Sequence, residues 1–175
     1  DVVERDGVTM LCVADVAGHG VPAGVVLGMV KAAFRTRLQS GDLGASLLSD
    51  TDQVLQGMLR PGMFVTCLAV RLEASASSYV SAGHLPLLWY DAASGKVERL
   101  GDSHLPLAAG VTPREREALN YQWRPFAFRG GDLLLLVTDG FTEVLGKDGS
   151  EFGLERLERI LTDDPGAPLP ALQER

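Results

Sequence analysis

The sequence has little of what a membrane, a nucleic acid or an oxidising compartment would require. No apolar run approaches the ~20 residues needed to cross hydrocarbon, and the most apolar helical stretch, residues 21–30, is closed by Lys31. No segment joins a basic start, an apolar middle and a small-residue cleavage site, so no signal peptide is read. Lys and Arg number 16 against 23 Asp and Glu, a net charge of −7, and the basic residues are scattered. A phosphate backbone calls for clustered positive charge, which argues against a nucleic-acid partner. Cysteine is nearly absent. Cys12 and Cys67 each sit inside an apolar strand-like run and read as two reduced core thiols of a cytoplasmic protein rather than a disulfide or a ligand pair. Internal repeats and low-complexity tracts are also missing.

What is present suits one ordinary domain. A chain of 175 residues with 46% hydrophobic content can bury a sizeable core, yet is too short for two typical domains. It starts at Asp1 rather than Met and stops at Arg175 within a helical pattern. The expectation is a single domain over residues 1–175, truncated at both ends and cut from a longer protein.

Local patterns set out the elements. Asp6-Gly7 favours a tight hairpin turn between Val2-Val3 and the apolar run 8–14. Pro22 suits the first turn of a helix over residues 22–39, expected to place Val25, Met29, Ala32 and Ala33 on one face and Lys31, Arg35 and Arg37 outward. Gly24, Gly28 and Ala32 fall four apart and are expected to let that helix sit close to what it covers. A second helix is expected over residues 43–59, ended by Arg60-Pro61-Gly62. Strands follow at 63–72, 78–82, 87–90, 97–100, 119–128 (interrupted by Pro125) and 133–138, with a last helix at 154–161. Hairpin-length connections dominate, so the layout is α+β with antiparallel strands rather than alternating βαβ units.

Two of these strands end on an aspartate and turn sharply: Val-Ala-Asp-Val-Ala-Gly-His-Gly (residues 13–20) and Leu-Leu-Leu-Leu-Val-Thr-Asp-Gly (residues 133–140). A carboxylate at the end of a buried strand is held by a fixed element while facing outward, and two brought together would make a site for hard divalent cations. Asp15 and Asp139 are therefore the candidate metal ligands. His19 and Glu143, just beyond them, are candidates for proton transfer or support of the site. Taken singly, each is more ordinary as a polar turn residue.

Five motifs in order then carry a resemblance: Asp-Val-Ala-Gly-His-Gly (15–20) with Pro22-Ala23, Met-Phe-Val-Thr-Cys (63–67), Ser-Ala-Gly-His-Leu-Pro (81–86), Gly-Asp-Leu-Leu-Leu-Leu-Val-Thr-Asp-Gly (131–140) with Thr142-Glu143, and Phe152-Gly153. Together they resemble the metal-dependent serine/threonine protein phosphatases (PPM type), in the SpoIIE-like bacterial branch, over residues 1–161. The resemblance implies two antiparallel β-sheets packed as a sandwich flanked by helices (α/β/β/α) and a pair of Mn²⁺ or Mg²⁺ ions. It assigns Asp15 to both ions, the Val16 backbone carbonyl to the metal site, and Asp139 to one ion. It leaves Gly18, Gly20, His84, Gly140 and Glu143 near the site with roles open. His19 is the candidate general acid for the leaving serine oxygen, imidazole being the side chain nearest its working pH. Met63, Thr66 and Gly83 are read as packing and backbone positions.

The implied activity is hydrolysis of phosphoserine or phosphothreonine on a protein, a regulator of the anti-sigma-factor antagonist type in bacterial partner switching, with a sensory or receiver domain in the same parent chain. The alternative is a phosphatase-like binding module without catalysis. Departures from the family pattern bear on that choice. The branch carries a Gly-Gly-Asp-x-Tyr-Asp element ahead of the first motif, and Asp1 matches only its last aspartate. It also carries a final Asp-Asp-x-Thr strand. Asp163-Asp164 is followed by Pro165-Gly166 and does not match it, so only two of four expected carboxylate ligands fall in this sequence.

Overall fold

The turn read at Asp6-Gly7 opens the first sheet. In the computed structural model, which describes residues 1–40, 46–74, 76–101, 105–110 and 121–167, Asp6 and Gly7 both have positive φ, 51° and 80°. That is the left-handed pair a two-residue hairpin between right-twisted strands needs. It joins β1 (Val2–Arg5) to β2 (Val8–Val16), two residues longer than the run read from sequence. β3 (Val65–Leu72) pairs antiparallel with β2, β4 (Ser77–Ala82) with β3, and β7 (Arg124–Phe126) with β4. The sheet order is β1-β2-β3-β4-β7. Pro125 lies on the edge strand, where a missing N–H removes no interior ladder bond. Of the strand expected over 119–128, three residues form, and 119–120 lie outside the described residues.

Helix α1 (Gly20–Ser40) covers one face of this sheet through Val26, Val30 and Phe34, all under 6% exposed and packed with Met10, Val16, Val65 and Cys67. The i, i+4, i+8 spacing gives one continuous stripe. It is offset by about one residue from the expected face: Val25 is 58% exposed, Ala32 is exposed, and Met29 and Ala33 lie at the margin. Gly24 and Gly28 face outward, with nothing within 4 Å of a Cβ placed on either, so close packing is not their role. Residues 21–30 are apolar or small on every side apart from Pro22, and the period alone does not select a face. Phe34, with Val26 and Val30 above it, buries the larger apolar area.

Helix α2 (Leu47–Gln56) turns Leu47, Leu48, Thr51, Asp52 and Leu55 inward. Asp52 is buried and accepts the Ala108 N–H at 2.7 Å and Gln56 Nε2 at 2.6 Å, which satisfies a carboxylate that burial would otherwise penalise. Of the expected helix over 43–59, residues 43–45 lie outside the described residues. All these elements belong to one compact unit, Asp1–His84 with Gly101–Phe126.

The second unit is Leu85–Leu100 with Ala127–Arg175. Its sheet runs β6 (Lys96–Leu100), β5 (Leu87–Asp91), β8 (Leu133–Leu135), all antiparallel. The amphipathic helix α4 (Leu154–Asp163) buries Leu157 and Leu161 against Leu88, with Val97, Leu133 and Leu135 packed around them. The one-turn helix α3 (Asp139–Thr142) follows β8. At the start of β8, Asp132 accepts three hydrogen bonds, from Trp89 Nε1 (3.0 Å), Ala92 N–H (2.9 Å) and Arg129 N–H (2.9 Å). Burial opposes its ionisation, and the three donors outweigh burial and hold its carboxyl below the usual range. Two antiparallel sheets with segregated helices give the α+β class expected from sequence. Among the described residues, no helix is long and apolar enough to cross a membrane.

Candidate functional site

Asp15 sits one residue before the end of β2, half-buried, directly opposite Thr66 at the start of β3. Side chains alternate along a strand. Met10, Cys12, Ala14 and Val16 pack into the core under α1, so Asp15 falls on the opposite face, and its cross-strand partner Thr66 shares that face. Thr66 Oγ1 lies 2.7 Å from His84 Nδ1. His84 is 8% exposed and follows Gly83, which forms a bridge with Cys67. Three residues far apart in sequence, Asp15, Thr66 and His84, are thus gathered by one sheet.

Gly83 explains how the chain turns there. Its φ is +63°, and a Cβ on it would stand 2.7 Å from Pro106 Cγ. Both the left-handed backbone and the close approach demand glycine. The Ser-Ala-Gly-His motif is therefore a backbone device that delivers His84 to Thr66. Sequence reasoning assigned Thr66 and Gly83 to packing and backbone. Gly83 fits that, whereas the Thr66 hydroxyl makes a polar contact visible only once β3 is aligned with the turn after β4.

Past Asp15 the ladder continues, with Ala17 N–H donating to Phe64 O at 2.9 Å. On the other side, Asp1 and Cys12 exchange backbone hydrogen bonds. Successive residues of a strand direct their backbone groups to alternate sides, so the Val16 carbonyl points away from β3 and outside the β2–β3 ladder. The chain then turns through Gly18 (φ +114°) and Gly20 (φ +76°) into α1. His19 is exposed between them.

In the second unit, Asp139 opens α3 after an extended Thr138. Its backbone carbonyl accepts Glu143 N–H (2.8 Å) and Thr142 Oγ1 (3.1 Å). Its carboxylate is exposed and has no hydrogen-bond partner among the described residues. Gly140 and Glu143 are exposed beside it. The turn is short, and it is tied to the segment ahead of α4 by Gly153 N–H donating to Thr142 O at 2.9 Å and by the Phe141–Phe152 ring contact.

In the first unit the Asp15 carboxylate and the Val16 carbonyl, and in the second the Asp139 carboxylate, are each oxygen donors of the kind hard divalent cations take. In number they are few, and among the described residues no three His, Cys, Asp or Glu side chains gather as a metal set. Asp132 entered the sequence analysis only as a member of the motif at 131–140. Its three hydrogen bonds make it a structural carboxylate, and a Gly-Asp pair ahead of an apolar run was the available signal.

Residues 5–175 match the family described as Stage II sporulation protein E (SpoIIE). Among curated relatives, the chain is 26% identical over 143 residues to the phosphoserine phosphatase RsbU of Bacillus subtilis (strain 168), covering 79% of this chain and 40% of that protein. It is 26% identical over 171 residues to the phosphoserine phosphatase RsbP of the same organism, covering 94% and 39%. The chain thus spans about two-fifths of the length of these relatives. Among solved structures, the SiaA-PP2C domain of Pseudomonas aeruginosa superposes with a TM-score of 0.80 at 24% identity, over 99% of this chain and 67% of that one.

Proposed function

The chain belongs to the Stage II sporulation protein E family, and from that premise we propose that the protein hydrolyses phosphoserine or phosphothreonine on another protein, using two Mn²⁺ or Mg²⁺ ions. The observation that carries this reading is Asp15, held at the end of β2 on the same sheet face as the Thr66–His84 pair. In this reading residues 1–175 are part of one phosphatase domain acting in the cytoplasm. The substrate is a phosphorylated regulator of the partner-switching type, and a sensory or receiver domain in the same chain governs the activity.

The ions would be held by the Asp15 and Asp139 carboxylates and the Val16 carbonyl, together with carboxylates outside this sequence. When bound, such ions make hydroxide available near neutral pH and stabilise charge on the attacked phosphoryl oxygens. The chain's own residues supply the rest. His19, exposed ahead of α1, gives its imidazole proton to the departing serine oxygen. Thr66 fixes the ring of His84 through Nδ1 and so keeps a polar side chain in place on the Asp15 face. Positive φ at Gly18 and Gly20 shapes the turn from β2 into α1 on either side of His19, and Gly140 and Glu143 stand exposed beside Asp139.

The test is Mn²⁺-dependent phosphate release from a phosphoserine protein by the full-length enzyme. Asp15→Asn and Asp139→Asn should each lower turnover by about 10³-fold, the loss of several kcal/mol of transition-state stabilisation, with an unchanged circular-dichroism spectrum. Unchanged turnover rejects the ligand assignment, and a wild-type protein that binds a partner without turnover favours the non-catalytic module instead. His19→Ala should slow a serine phosphate more than an aryl phosphate, whose leaving group needs no proton. Equal slowing removes it as the acid.

A further inference from the structure

Beneath α1, on the sheet face opposite Asp15, two thiols meet. Cys12 on β2 stands opposite Ala69 of β3, and Cys67 opposite Ala14, so the cysteines are diagonal neighbours on one face with Sγ atoms 3.8 Å apart. Both are free thiols. Cys67 is fully buried, whereas Cys12 is only partly so. Cys12 lines a cavity of about 280 Å³ between β2 and α1, walled by Leu27, Val30 and Phe34 and bordered by Lys31 and Asp1. The pair therefore has one sulfur that a small molecule can reach and a second in contact with the first.

We propose that Cys12 and Cys67 form a dithiol centre that hydroperoxides entering the α1–β2 cavity oxidise to a disulfide, Cys12 reacting first and Cys67 second. The Cys12 sulfur attacks one oxygen of the peroxide. The O–O bond breaks, an alcohol leaves (water in the case of hydrogen peroxide), and Cys12 becomes a sulfenic acid. Cys67 sulfur then attacks the Cys12 sulfur. The S–S bond forms, the S–O bond breaks, and the hydroxyl departs with the Cys67 proton as water. Two electrons leave the sulfur pair and are taken up by the O–O bond.

The order follows from access and from the hydrogen bond between the sulfurs. That bond holds the Cys12 thiol below its ordinary value against the opposing pull of burial. The same bond, with full burial, pushes Cys67 well above it. The thiolate is the nucleophile, so the sulfur facing the cavity is also the one that more readily loses its proton. Bonded sulfurs lie about 2.05 Å apart, so closing the 3.8 Å gap takes side-chain rotation and a local shift of the backbone at the two positions.

The experiment treats the full-length protein with hydrogen peroxide, alkylates the remaining thiols and maps the peptides by mass. The expected product is a peptide pair linked through Cys12 and Cys67 within one chain, two hydrogens lighter than the reduced pair and restored by dithiothreitol. In Cys67→Ser, Cys12 should accumulate as a sulfenic acid captured by dimedone. In Cys12→Ser, Cys67 should stay reduced. The proposal is overturned if both thiols survive an exposure that oxidises free glutathione, if wild-type Cys12 is captured as sulfenic acid without linkage, or if the linkage joins two chains. The wild-type mapping decides these outcomes even where a serine variant fails to fold.

Discussion

The end of β2 and the turn after β8 both present an aspartate, yet they hold it by different means. Asp15 lies within a ladder that continues past it, opposite a threonine tied to a buried histidine, and the turn that delivers that histidine admits only glycine at position 83. Asp139 lies on one turn of helix, exposed, with its backbone oxygen engaged and its carboxylate without a hydrogen-bond partner among the described residues. The first arrangement is determined by long-range packing, the second within residues 138–153, where Gly153 N–H donates to Thr142 O and Phe152 packs edge-on against Phe141. Preorganisation of a polar group costs stability unless the surroundings satisfy it, so the β2 end should be sensitive to substitutions at a distance, while the β8 turn should register only changes within that segment.

Paired glycine substitutions give the largest contrast. Gly83→Ala forces a Cβ into Pro106 and strains a left-handed backbone, and should cost about 2–3 kcal/mol. In Gly140→Ala, the new methyl meets only Thr138 Oγ1 at an ordinary 3.9 Å, and stability should stay within about 0.5 kcal/mol. Urea unfolding of both variants checks this, and equal losses would erase the distinction between the two regions.

Asp132 tests whether the second unit has a long-range anchor of its own. Asp132→Asn should destabilise by about 2 kcal/mol at pH 7, because it weakens charge-assisted hydrogen bonds to Trp89, Ala92 and Arg129. The folded carboxyl titrates below its ordinary value, so its contribution is complete above about pH 4 and is lost as pH falls through the folded value. The gap between wild type and variant should therefore narrow below about pH 4. A gap independent of pH would show that the ionised form is not what the three donors stabilise.

A smaller effect is expected at Thr66. Thr66→Val keeps shape and removes the bond to His84 Nδ1, at a cost of about 1 kcal/mol, and should lower turnover without loss of metal binding measured by calorimetry. Smallest of all, the Asp139→Asn protein should unfold at the wild-type temperature even where its activity is gone, because no hydrogen bond of that carboxylate to the described residues is broken. A lowered midpoint would mean that the β8 turn is built into the fold more deeply than its exposure indicates.

Much of this organisation was legible in the residues. Asp15 at the end of its strand, the Asp6-Gly7 hairpin and the amphipathic run at residues 154–161 each carry a local rule and stand where that rule puts them, whereas Asp139, read as the end of a strand, lies four residues past Leu135 and opens a turn of helix. The face of α1 was not legible, because Val25 and Val26 are equally apolar and only the packing of Val30 and Phe34 chooses between them. The strand at 133–138 read three residues too long, since apolar composition does not mark where a ladder partner ends; β5 pairs only with Leu133–Leu135. Thr66 was underread for a related reason. Its partner His84 lies 18 residues away, and nothing in either motif states the register that joins them.

Pro125 has a consequence for how the molecule meets copies of itself. Among the described residues it occupies the outermost strand of the larger sheet, and it offers no N–H to an extended segment passing by. With that donor missing, a neighbouring chain finds no complete template to extend, and the margin is guarded against fibre-like stacking. A three-residue strand, packed through Phe126 against Tyr79, thereby disfavours edge-to-edge pairing at this position.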